Sequence, residues 1–192
     1  MTAYFLAYGW ILLTSSLLYI NKIEYQKAKK WFCALSTFAV FLLFALRHPF
    51  MGGDLRYGSG IGYLGVYVRG ANATWKELFE QENLFYFEKG YTVFTKLMGW
   101  ISDDHQFFLA SCAALSLVPV GYTIYQESKQ PDLSLYVFMG LPVFTLLYSG
   151  IRQGIAIGLC MLALLTAMAL VLSGCGINYS KTYSDAVESF AD

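Results

Sequence analysis

Three arginines stand where a bilayer would penalise a charge, and their chemistry points to an anionic ligand. Arg47 directly follows an uncharged run, Arg56 lies nine residues on, and Arg152 falls within Ser149-Gly150-Ile151-Arg152-Gln153-Gly154, a tight turn between two uncharged runs. A guanidinium drawn toward the bilayer centre costs at least about 2.5 to 3.5 kcal/mol, so it needs a partner, a wet cavity or room to snorkel. Its planar fork grips phosphate through two parallel hydrogen bonds, which lysine cannot do. Together the three predict a basic pocket for an anionic head group. The plainer alternative is that each anchors a helix end.

Candidate carboxylates are Asp54, between Gly53 and Leu55, and Glu88, which opens Glu88-Lys89-Gly90-Tyr91. Either could act as a general base toward a hydroxyl, its pKa raised by burial and lowered by a nearby arginine, or simply be an arginine's salt partner. His48, followed by Pro49, and His105, beside Asp104, are isolated and make no metal site. Cys33, Cys112, Cys160 and Cys175 show no C-x-x-C spacing, so neither a zinc site nor a disulfide framework is expected.

What positions these residues follows from composition. The chain is 57% hydrophobic and only 14% charged, against about a quarter charged in soluble domains. The charges are gathered rather than spread, with most of them between Arg47 and Asp104 or in Lys22 to Lys30. The expected fold is an all-α polytopic transmembrane helical bundle of about five spans, at residues 3–20, 31–50, 106–125, 133–151 and 154–174. These form a transmembrane domain over residues 1–175, followed by a polar C-terminal tail, 176–192. Pro119 and Pro142 fall inside the third and fourth spans, where a kink is expected. Lys22, Lys27, Lys29 and Lys30 make the first link the cytoplasmic one. The N-terminus and the loop 47–105 are then external, and the tail is cytoplasmic. With zero net charge and no basic domain, nucleic-acid binding is disfavoured.

The external loop has structure of its own. Thr74-Trp75-Lys76-Glu77 is a capping box, predicting a surface helix through about Asn83. Tyr91, Phe94, Leu97, Met98 and Ile101 recur at helical spacing and predict an interfacial helix. The glycine-crowded stretch from Gly52 to Gly65 reads as irregular backbone.

Arg47 followed by Gly53-Asp54 and Tyr57, then Glu88-Lys89-Gly90-Tyr91, then Arg152-Gln153-Gly154-Ile155-Ala156, in that order, resemble the EpsG family of bacterial polysaccharide membrane proteins, related to Wzy-type O-antigen and capsule polymerases. The resemblance covers roughly Ala3 to Ala163. It implies glycosyl transfer on the outer face of the bacterial cytoplasmic membrane, joining undecaprenyl-diphosphate-linked oligosaccharide repeat units, without a cofactor because the activated carrier supplies the energy. It further implies that Arg47, Arg56, Arg152, Gln153, Tyr57 and Tyr91 bind substrate, that Glu88 or Asp54 is the base, and that other polysaccharide assembly membrane proteins are partners. Leu55-Arg56 departs from the tyrosine-rich continuation usual after Gly-x-Asp. Family members usually continue through further spans, so a C-terminally truncated and inactive fragment is an expectation too. A lipid-linked sugar transporter and a non-catalytic assembly subunit are the alternatives from other classes; nearly uncharged spans count against the former.

Overall fold

The computed structural model describes residues 2–19, 24–48, 55, 62–80 and 88–174. Among them every regular element is a helix, as the apolar runs dictate: a backbone with no water to bond must satisfy itself. Helix α1 spans Thr2–Ser15 and tightens into a 3-10 turn, Ser16–Tyr19. The hydroxyls of Ser15 and Ser16 bond back to the Leu12 and Leu13 carbonyls, which competes with the regular ladder there. Thr14 and Ser36 share a buried hydroxyl bond of 2.8 Å that ties α1 to α2, Tyr25–Ala45.

The second predicted span begins earlier than expected. Helix α2 starts at Tyr25, so Lys27, Lys29 and Lys30 lie in its first turns instead of in a link. Lysine is a good helix former whose stem lies along apolar surface, and Lys29 is buried with its ammonium 5.7 Å from the Tyr125 ring.

Three short helices follow: α3, Tyr63–Asn72; α4, Trp75–Glu80; and α5, Lys89–Ile101. The capping box forms, with the Glu77 amide donating to the Thr74 hydroxyl at 3.3 Å and the Thr74 amide to the Glu77 carboxylate at 2.7 Å. Helix α3 corrects the reading of the glycine-rich stretch, because Gly65 lies inside it. Helix α5 lies beside α3, with Tyr63 against Tyr91 at one end and Ala71 against Gly99 at the other. Its buried face is Tyr91, Thr92 and Thr95, whereas Leu97 and Ile101 of the expected stripe are exposed. Threonine and glycine win that face because the two backbones approach too closely for larger side chains.

Helix α6, His105–Glu127, is capped by Asp104, which accepts from the Gln106 and Phe107 amides at 3.1 and 3.3 Å. It carries Pro119 and stands between two apolar clusters. Ala113, Leu117 and Val120 face α1, α2 and the next helices. Phe108, Leu109 and Cys112 face α3 to α5. The fourth predicted span is broken into α7, Pro131–Gly140, and α8, Pro142–Ser149, bent by 66°. Proline disfavours helical backbone in the residue before it, and Leu141 is accordingly extended at φ −83°, ψ 150°. Helix α9 runs Ile151–Gly174.

Among the described residues three helices, α2, α6 and α9, are long and apolar enough to cross a membrane, or four if the bent pair is one span; α1 is shorter. With α1 as a shorter apolar helix beside them, these agree with the expected polytopic bundle, and the expected count of about five spans is approximate. The protein is an all-α membrane protein, and the exposed leucines along α9 are what a lipid-facing helix presents.

Candidate functional site

Arg47 joins the end of α2 to the end of α8. Leu46 caps α2, and Arg47 turns back beneath α8, only 6% exposed. Its Nη1 donates to the Tyr148 carbonyl, and its guanidinium carbon lies 5.0 Å from the Tyr148 ring centroid. The carbonyls in the last turn of a helix have no intrahelical donor, so a cation here satisfies one and complements the negative end of the dipole. Burial lowers the proton affinity of this guanidinium, opposed by the Tyr148 phenol. Its Nε finds no hydrogen-bond partner among the described residues. Beside it is a void of about 10 Å³ bounded by Leu109, Cys112, Ser116 and Ile151, about enough for one water.

Arg152 is placed differently. Gly150 alone separates α8 from α9, so Arg152 is the second residue of α9 and not part of a loop, contrary to the expected turn placement. A cation in the first turn opposes the helix dipole, and two groups from elsewhere in the chain offset that. The Glu88 carboxylate ion-pairs with Nη1, and Tyr63 presents its hydroxyl 3.5 Å from Nε and its ring centroid 5.9 Å from the guanidinium carbon. Glu88 is the N-cap of α5, where the positive end of that helix also favours a negative charge. Its carboxyl is held below the ordinary glutamate range, first by a hydrogen bond from its own backbone amide and then by Arg152.

Tyr91 lies between these groups. Its ring is buried against Tyr63 at 5.8 Å and Phe108 at 6.5 Å. Burial raises its phenol well above the usual range, opposed by the positive charges of Arg152 and Arg47.

From the Arg152–Glu88 pair an apolar groove of about 540 Å³ runs down between α5, α6 and α9, past Phe94, Leu115, Ile155, Ala156 and Leu159. Gln153 lines its mouth and is exposed. The groove therefore has a charged head and an apolar body about 10 Å long, from Arg152 to Leu159 at the helical rise.

The structure thus brings together Arg152, Glu88, Tyr91 and Gln153, and sets Arg47 on the other side of the buried Ile151. Asp54, Arg56 and Tyr57 lie outside the described residues. Sequence reasoning missed Tyr63 and Tyr148, the aromatic partners of the two arginines. It also missed the reason for Gly154 and Gly158: a side chain at 154 would come within 2.9 Å of the Ser116 hydroxyl, and one at 158 would strike the Leu115 carbonyl. The spacing G-x-x-x-G, which lets two membrane helices approach closely, was the available signal.

The model of a protein family, described as the EpsG family, matches residues 30–169. No curated protein and no solved structure matches the chain.

Proposed function

The chain belongs to the EpsG family, and from that premise we propose that it joins lipid-diphosphate-linked oligosaccharide units during exopolysaccharide, capsule or O-antigen assembly. The observation that supports this most is the arginine at the head of an apolar groove. An undecaprenyl diphosphate carrier has the same two parts, an anionic head and an isoprenoid tail, and the groove offers each a chemically matched surface. Arg152 takes the diphosphate through its fork, and Phe94, Leu115, Ile155 and Leu159 take the first isoprene units.

In the proposed step a hydroxyl of the acceptor unit attacks the anomeric carbon of the donor. The carbon–oxygen bond to the diphosphate breaks, the electron pair leaves on the diphosphate, and the hydroxyl proton passes to a carboxylate. Arg152 stabilises the charge that grows on the leaving group directly, and Arg47, buried behind Ile151, adds its positive field from outside the groove. While Glu88 pairs with Arg152 it is a weak base. Once Arg152 turns onto the diphosphate, Glu88 loses that partner and its proton affinity rises beside the reacting sugar. Asp54 is the alternative base. Arg56, Gln153, Tyr57 and Tyr91 are assigned to the sugar and diphosphate. The site is assigned to the outer face of the bacterial cytoplasmic membrane, on the strength of the lysines at the opposite end of α2.

The test is elongation. Membranes containing the protein, given an undecaprenyl-diphosphate-linked oligosaccharide, are expected to yield a ladder of longer glycans, and the Glu88→Gln variant a shorter or absent one at equal abundance. A ladder unchanged in Glu88→Gln would move the base to Asp54, and no ladder from the wild type with the family's other assembly proteins present would remove the polymerase reading.

A further inference from the structure

A second groove lies on the opposite side of α6, away from the arginines. It has a volume of about 570 Å³ and runs between α2 and α6 from Lys30 to Phe41. Its walls repeat at helical spacing: Ala34 and Phe38 on α2, Ala114 and Val118 on α6, with Gly121 seated against Thr37 where the helices come closest.

We propose that this groove binds one anionic phospholipid, its acyl chain along α2 and α6 and its phosphate on the Lys30 ammonium. Three observations select this occupant. First, the groove is about 16 Å long, eleven residues at the helical rise, which is half the roughly 30 Å hydrocarbon core. That is the depth of a single leaflet, whereas a partner helix would need a seam across both. Second, the mouth is at headgroup level, since Tyr25, Trp31 and Tyr122 are all exposed there, as aromatic residues are at membrane interfaces. Third, Lys30 is exposed and makes no ion pair among the described residues, whereas Lys27 is paired with Glu24 at 3.2 Å. An ammonium at the mouth of an apolar slot complements a phosphate, and a zwitterionic choline headgroup partly cancels that attraction. The inference rests on the groove alone and not on the proposed polymerase activity.

Native mass spectrometry of the purified full chain tests it, with equimolar palmitoyl-oleoyl phosphatidylglycerol and phosphatidylcholine as probes. The wild type is expected to retain one phosphatidylglycerol in preference to phosphatidylcholine. K30Q should lower that preference about fivefold, the loss of one lysine's attraction to an anionic surface. A34W fills the groove from an exposed position and should remove both adducts. K89Q, which removes an exposed charge on α5, should behave as the wild type. Equal retention of the two lipids, a preference that survives K30Q or adducts that survive A34W, or a lipid-free dimer seated on this face would overturn the proposal. Should A34W fail to fold, the K30Q result decides.

Discussion

A guanidinium in the first turn of a helix and a carboxylate at the cap of another are each held by the other, and that reciprocity makes the site's chemistry testable one residue at a time. Arg152 is half-buried and touches the groove, so Arg152→Ala should end glycan elongation while leaving the protein inserted and abundant. Arg152→Lys should recover little of it, because an ammonium cannot form the bidentate fork. Chain length on a glycan gel, with membrane abundance by immunoblot, checks both. Arg47 is a less clean probe. Removing it strands the Tyr148 carbonyl and should cost about 1 to 3 kcal/mol, or about 2 to 4 °C of unfolding temperature per kcal/mol in a chain this size. Arg47→Ala is therefore expected to lose both abundance and activity. The Glu88 carboxyl titrates below the ordinary glutamate range when folded. Its contribution is thus present at neutral pH and is lost as pH falls through the lowered value. Thermal unfolding should show wild type and Glu88→Gln converging on acidification. The sequence offered Glu88 as an arginine's salt partner, but not which arginine it would meet. Glu88 and Arg152 are separated by 64 positions, and only the meeting of the α5 N-cap with the first turn of α9 brings them together. The residue types suggested an anion site, but nothing in their spacing named Tyr63 or Tyr148.

At the scale of elements, close approach governs what can be changed. Position 158 faces the Leu115 backbone, which cannot yield, whereas nothing stands within 4 Å of a side chain at position 9. Gly158→Ala should destabilise the α6–α9 pair by about 1 to 3 kcal/mol. Gly9→Ala should be neutral or slightly stabilising, since alanine is the better helix former. Unfolding of the purified variants in detergent, followed by circular dichroism, distinguishes them. The elements were largely legible, because an apolar run without charge has one backbone solution in a bilayer. Their ends were less so. Lys27, Lys29 and Lys30 read as a link, although lysine can extend a helix past the hydrocarbon edge by snorkelling. The break at Leu141 was foreseen as a kink at Pro142, but its 66° amplitude depends on packing beyond the sequence pattern.

For the whole molecule, the proposed orientation sets the two charged ends of the bundle on opposite sides of the membrane: the lysines of α2 with the link at Lys129, and the arginines with α4. Cysteine introduced at Lys76 should be labelled by an impermeant maleimide from outside intact spheroplasts, and cysteine at Lys129 only after permeabilisation. The reverse pattern would put the groove's head in the cytosol and end the outer-face assignment. The central claim, that an arginine-headed apolar groove clasps a lipid diphosphate, is tested most directly by titrating purified protein with undecaprenyl diphosphate. The wild type should bind saturably, and both Arg152→Ala, at the head, and Ala156→Trp, which fills the body, should weaken binding by about tenfold or more, the worth of one charged hydrogen bond. Undiminished affinity in both variants would contradict the account.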